Sequence, residues 1–109
     1  MPGITLATFN LRKDARLDGV NRWANREPLV QRIIRKNQID VLGVQEGLPA
    51  MRQDLERDLA EYVMVGFGRE KDLSNEHADI LANRMTTQLF YYTTFWLSRI
   101  PYAFGSRFM

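Results

Sequence analysis

Asn10 and Glu46 are the residues of this sequence whose types and positions suit metal-assisted chemistry. Each closes a short apolar run, residues 4–9 before Asn10 and residues 41–44 before Gln45 and Glu46. If the two runs are parallel neighbouring strands joined by the helical segment between them, their carboxyl ends lie side by side. That edge is where open α/β sheets bind ligands. An amide and a carboxylate placed there can share a divalent cation, with Glu46 as the charged ligand. Magnesium suits such a site, because it takes few protein oxygens and keeps waters that a phosphate can displace. The same spacing has a structural reading, in which Asn10 begins a turn and Glu46 caps the next helix, whose amino terminus favours an acidic group. Spacing alone leaves both readings open.

Other chemistry-bearing residues read more plainly. His77 is the single histidine and falls in a polar stretch, residues 69–77, which predicts an exposed loop position rather than a general base. Trp23 and Trp96 read as packing anchors. Arg32, Arg35 and Lys36 are the densest basic group, and beside Ile33 and Ile34 they read as the solvated face of an amphipathic helix.

The elements that must position Asn10 and Glu46 follow from periodicity. Residues 4–9 alternate apolar with small or polar side chains, as a half-buried strand does. Residues 13–25 are polar, with Asp18-Gly19 as a turn signal, and read as a loop. Pro28 suits a first helical turn, and Leu29, Val30, Ile33 and Ile34 follow on one helical face, which predicts a helix ending near Asn37. Residues 41–46 read as a buried strand ending in polar groups. Residues 50–59 form a second amphipathic helix, with Met51, Leu55 and Leu59 on one side. Residues 62–67, 80–82 and 88–97 read as three further strands, the last rich in aromatic residues and ended by Pro101. The helices come early and the paired strands late. This order predicts one α/β domain over residues 1–109, a mixed sheet with two helices on one face. No further helix covers the second face, so an apolar face left open would need a partner.

Composition bounds the class. The chain has 109 residues, 45% hydrophobic and 26% charged, with a net charge of +2, which is ordinary for a globular domain. It has no cysteine, which excludes disulfides, thiolate catalysis and cysteine-based metal sites. No stretch is apolar for long enough to span a bilayer. The start of the chain lacks the basic and apolar pattern of a signal peptide, so no membrane and a cytoplasmic location are expected.

Residue order adds a further reading. The segments Thr8-Phe9-Asn10-Leu11-Arg12, Trp23-Ala24-Asn25-Arg26, Asp40-Val41-Leu42-Gly43-Val44-Gln45-Glu46-Gly47, Val65-Gly66-Phe67-Gly68-Arg69 and Thr94-Phe95-Trp96-Leu97-Ser98 together resemble the endonuclease/exonuclease/phosphatase family. The resemblance follows the family's order along nearly the whole chain. It implies half of a four-layered α/β sandwich and a magnesium-dependent phosphoesterase, acting on nucleic acids, inositol phosphates or sphingolipids. It implies that Glu46 binds magnesium and that Asn10 helps complete the metal and phosphate site. Arg69, after Gly68 at the mouth of a strand, becomes a candidate for bidentate phosphate contact, as do Arg12 and Arg26.

The departures from the family are equally specific. Its later Asp-x-Asn pair and its Ser-Asp-His segment are both missing from these 109 residues, and Ala82 and Asn83 replace the usual tyrosine and basic residue. Catalytic groups that act as a unit lose most of their effect when one is removed, so an isolated chain is expected to be inactive or nearly so. Three functions follow as expectations. One is the amino-terminal part of a metal-dependent phosphoesterase, acting on a phosphate ester once completed. A second is a non-catalytic half-fold that associates through its open sheet face, with another copy or with a carboxyl-terminal half. The third is a basic nucleic-acid-binding module.

Overall fold

The computed structural model describes residues 3–66 and 76–89, together with the backbone of two short strands further on. In chain order the elements are β1 (Leu6–Asn10), a 3-10 segment (Arg16–Asn21), α1 (Trp23–Lys36), β2 (Val41–Gly47), α2 (Pro49–Asp58), β3 (Tyr62–Val65), β4 (His77–Asn83), β5 (Phe95–Trp96) and β6 (Arg107–Phe108). The first four strands make one mixed sheet in the order β1-β2-β4-β3. β1 and β2 are parallel, with Leu6 opposite Val41 and Asn10 opposite Gln45. β4 lies antiparallel to both β2 and β3. β5 and β6 pair separately as an antiparallel ladder.

The period of two sorts the sheet's residues onto its faces. Across the strands, Ala7, Leu42, Leu81 and Met64 form one row, and Phe9, Val44 and Asp79 the next. This face meets the helices. Leu42 and Leu81 are fully buried, in one cluster with Trp23, Val30 and Ile34 of α1 and Met51 and Leu55 of α2. The opposite face carries Leu6, Val41, Ala82 and Val63, then Thr8, Gly43, Ile80 and Val65. Here burial is graded. Ala82 and Val65 are buried, whereas Leu6 on the edge strand is 70% exposed.

α2 matches its sequence expectation, with Pro49 at its first position and Met51 and Leu55 inward. α1 does not. It begins at Trp23, so Pro28 lies inside the helix, where its missing N–H leaves the carbonyl one turn back without its usual donor. The helix is anchored instead by its first residue: Asp14 Oδ1 accepts from the Trp23 backbone N–H at 3.2 Å, and the Trp23 ring is buried. The buried face therefore runs Trp23, Glu27, Val30, Ile34. Leu29 and Ile33, expected inside, are 52% and 44% exposed.

Three other expectations are corrected. The loop expected over 13–25 contains the 3-10 segment and the start of α1. His77 is not an exposed loop residue: it opens β4 and is buried, because β4 starts three residues earlier than its apolar run. Of the strand expected over 88–97, residues 88 and 89 lie in no regular element and strand pairing is seen at Phe95–Trp96; residues 90–94 and 97 lie outside the described residues. β6 was not foreseen.

Candidate active site at the carboxyl edge of the sheet

The parallel pairing of β1 and β2 brings Asn10 and Glu46 together. Asn10 Nδ2 donates to Glu46 Oε2 at 2.6 Å. The ladder continues one step further, with the Leu11 N–H on the Gln45 carbonyl at 3.0 Å. Asn10 Oδ1 in turn accepts from the Arg12 N–H at 2.9 Å, and the Lys13 N–H approaches Glu46 Oε1 at 3.4 Å. Both strand ends thus converge on one carboxylate. Of the structural reading, the Asn10 turn is present, closed by the Arg12 bond, whereas Glu46 does not cap α2, whose amino terminus has no side-chain cap; the Asn10 amide instead reaches across to Glu46.

Glu46 owes its direction to a β-bulge. In the β2–β4 ladder Val44 pairs with Asp79 and Gly47 pairs with His77, so Gln45 and Glu46 together oppose the single residue Ala78. Bulges of this two-against-one kind redirect side chains at sheet edges. Glu46 takes φ 62°, and Arg12, on the facing strand end, takes φ 60°. Left-handed backbone is uncommon for such residues and concentrates at functional sites. Two of the three non-glycine positive-φ residues among the described residues flank this one contact.

The electrostatics favour an ionised Glu46. Its carboxyl is held below the usual carboxylate range, first by the Asn10 hydrogen bond, then by the Lys13 backbone N–H and the charges of Arg12 and Lys13, against partial burial. Lys13 also pairs with Glu76 at 3.5 Å. Glu76 precedes β4, and its place at this edge was hidden in the sequence by the polar stretch around it. Only the antiparallel register brings it here.

The arginines are already engaged. Arg12 grips Asp18 through Nε at 3.1 Å and a terminal nitrogen at 3.0 Å. Arg26 donates to the carbonyls of Asn21, Leu11 and Arg12 and lies over the Trp23 ring, 5.6 Å from its centroid. It braces the loop that follows β1. Arg69 lies outside the described residues, as does the side chain of Trp96. Trp23 is the packing anchor expected, its indole N–H on Asp54 at 2.9 Å.

The oxygens that could hold a divalent cation at this edge are those of Glu46. Glu46 is ionised and only half-buried, and Asn10 is exposed. Among the described residues no group of three or more His, Asp or Glu converges on a point, and Asn10 fixes the orientation of the Glu46 carboxylate. Magnesium accepts such a set when a phosphate and waters complete its shell. A concavity of ≈ 780 Å³ lies at the far end of the strands and includes Arg35, Asp40 and Glu61. Its charges are satisfied internally, Arg35 by Glu61 at 2.9 Å and Asp40 by Thr5 and Thr86.

The fold has close counterparts among solved structures. An endonuclease/exonuclease/phosphatase from Bacteroides vulgatus superposes with a TM-score of 0.85 at 33% identity, over 94% of this chain and 40% of its own. The chain belongs to the endonuclease/exonuclease/phosphatase family. A second endonuclease/exonuclease/phosphatase protein, from Bacteroides thetaiotaomicron, gives 0.83 at 27% identity, over 90% and 37% of the two chains. A mannosyl-6-phosphatase from the same organism gives 0.84 at 26%, over 91% and 38%. The chain therefore spans about 40% of the length of these endonuclease/exonuclease/phosphatase proteins, consistent with the amino-terminal half of the family's domain. No protein-family profile and no curated protein matches the sequence. Among the described residues no helix is long and apolar enough to cross a membrane.

Proposed function

We propose that this chain supplies one wall of a magnesium-dependent phosphoester hydrolase site, with Glu46 as the metal-binding carboxylate and Asn10 as its orienting partner. The observation that carries the proposal is the 2.6 Å bond joining the ends of two parallel strands at a bulge. A bound divalent cation would supply charge neutralisation on the phosphoryl oxygens. The chain's own residues do the rest of what this wall can do. Glu46 stays ionised, Asn10 holds its carboxylate toward the edge, and Arg12 lies beside it, committed to Asp18 until a phosphate competes for it. One structural relative is a mannosyl-6-phosphatase, so a sugar phosphomonoester is the first substrate to try.

The 109 residues contain neither Asp-x-Asn nor Ser-Asp-His, and among the described residues no positioned base accompanies Glu46. We therefore expect the isolated chain to bind magnesium weakly and to turn over phosphate esters at close to background. Titration calorimetry with Mg²⁺ and Mn²⁺, alongside hydrolysis of mannose 6-phosphate and p-nitrophenyl phosphate, tests this. Weak binding that vanishes in Glu46→Ala supports the proposal; equal binding by the variant, or metal-independent turnover, overturns it.

One observation favours a second reading, association through the open part of the sheet. Ile4 and Leu6 at the edge strand are 71% and 70% exposed, and an exposed edge strand is a template for pairing. Dimers by light scattering at micromolar concentration, lost in Leu6→Lys, would support it, and a monomer would end it. The nucleic-acid module gains nothing comparable, since Arg12, Arg22, Arg35, Arg52 and Arg57 are all paired with carboxylates.

A further inference from the structure

The residues that bracket the Glu46 bulge on the opposing strand carry an unusual set of side chains. Val44 and Gly47, on either side of Gln45-Glu46, pair with Asp79 and His77. Both of these side chains turn to the helix face and are buried, that of Asp79 to 1% exposure. A carboxylate so deep requires a cationic partner. Arg52, in the first turns of α2, supplies it with Nε on Asp79 Oδ2 at 3.0 Å. The second oxygen, Asp79 Oδ1, lies 3.4 Å from His77 Nδ1, and among the described residues neither atom has a hydrogen-bond partner. Gly66, on the other flank, leaves room for the carboxylate: a Cβ there would lie 1.8 Å from Asp79 Oδ1.

An apolar residue at 79 would fill this core position more simply, as Leu81 does two residues later on the same face. What the Arg52–Asp79 ion pair, with His77 beside it, adds is connection. α2 begins two residues after Gly47, so the Arg52–Asp79 pair ties the helix start to β4, and the pairing of His77 with Gly47 ties the end of β2 to the same strand. Glu46 sits between those two ties, in left-handed backbone that an unconstrained strand would relax.

We propose that Arg52, Asp79 and His77 are positioning residues that hold the bulge, and so aim Glu46 at Asn10. The inference rests on Glu46 being the working group of the site, but its test needs neither metal nor turnover. The Asn10 side-chain amide is the reporter, since its Nδ2 proton is shared with Glu46. In ¹⁵N NMR of the full chain, a hydrogen-bonded Asn10 amide resonates downfield and exchanges slowly, and Glu46→Gln sets the position it takes when the carboxylate is gone.

The paired apolar replacement Arg52→Met with Asp79→Leu removes the ion pair without leaving a lone buried charge. We expect this variant to remain folded, with its Asn10 amide moved most of the way to the Glu46→Gln position. His77→Phe is expected to move it part of the way, and Arg52→Lys, which keeps the charge, to recover much of the wild-type signal. Should the double variant fail to fold, His77→Phe and Asp79→Asn carry the same readout. An Asn10 amide unchanged in any folded variant lacking the Arg52–Asp79 pair overturns the proposal. Absence of Mg²⁺ binding by the wild-type chain would sink the hydrolase reading and leave this result standing.

Discussion

Asn10 and Glu46, 36 residues apart in the chain, meet through a 2.6 Å hydrogen bond between the ends of two parallel strands. Glu46 accepts from Asn10 on one oxygen and faces the Lys13 backbone N–H with the other. Removing the Asn10 amide leaves the carboxylate in place but free to rotate. Groups that orient a metal ligand contribute about 10- to 100-fold to affinity. Asn10→Ala should therefore weaken Mn²⁺ binding by about tenfold or more with little change in thermal stability, measured by calorimetry and circular dichroism.

The acid limb of stability follows from several carboxylates together. Asp14, Asp18, Asp40, Glu46 and Glu61 are all held below their usual range by hydrogen bonds, and Asp58, gripped by Arg57, falls to about 2. Each binds its proton less readily folded than unfolded. Their contribution is complete above the unfolded value of about 4 and is lost as pH falls through the lower folded values. Urea midpoints should be flat from neutral pH to about 5 and then drop steeply toward pH 2; a flat profile down to pH 2.5 would contradict this.

Glu27 runs the other way. Burial first, and then the neighbouring Asp58, push its carboxyl above the usual range. Folded, it keeps its proton where the unfolded chain releases it, so its penalty is absent below the unfolded value and grows as pH rises toward the folded one. Glu27→Gln keeps an acceptor for Gln31, which donates to Glu27 at 2.5 Å, and removes the penalty. The variant should gain up to about 1 kcal/mol at pH 7 and lose that advantage below pH 4.

Gly66 and Asp79 should be coupled. A methyl group at 66 would lie 1.8 Å from Asp79 Oδ1 and 3.1 Å from its α-carbon. Overpacking of this kind costs about 1–3 kcal/mol, so Gly66→Ala should destabilise by that order in urea melts. Asp79→Ala in the same chain should recover only part of the loss, because the methyl group still crowds the backbone of residue 79; strict additivity of the two changes would refute the coupling.

Arg12 offers a test of anion binding. Its guanidinium is committed to Asp18 through two bonds of 3.0 to 3.1 Å, so a phosphate must compete with that carboxylate. Asp18→Asn should strengthen inorganic phosphate binding severalfold at low salt, with the gain fading as ionic strength rises. No gain would remove Arg12 from the phosphate-binding candidates.

The sequence made the frame legible where one local pattern dominates. The parallel pairing of the runs before Asn10 and Glu46 follows from two short strands and an intervening helix, and α2 follows from Met51, Leu55 and Leu59. What stayed hidden depends on contacts between distant segments. The start of α1 is set by Asp14 reaching back to Trp23, which no window around Pro28 contains. His77 looked like an exposed loop residue because its burial comes from pairing with Gly47, 30 positions earlier. Glu76 joins the edge only through the antiparallel register of β4.

That same strand governs the sequence of assembly. β4 lies between β2 and β3, so β3 leaves the ribosome with no strand to pair with, and must wait until residue 83 has emerged. Parallel β1 and β2 can meet earlier, closed by α1. The nascent chain thus passes through a stage in which one parallel pair is formed and β3 hangs on α2 alone. A nascent-chain experiment stalled just before and just after β4 clears the exit tunnel should see protection of β3 arrive in one step with β4, making this late strand the point at which synthesis commits to the fold.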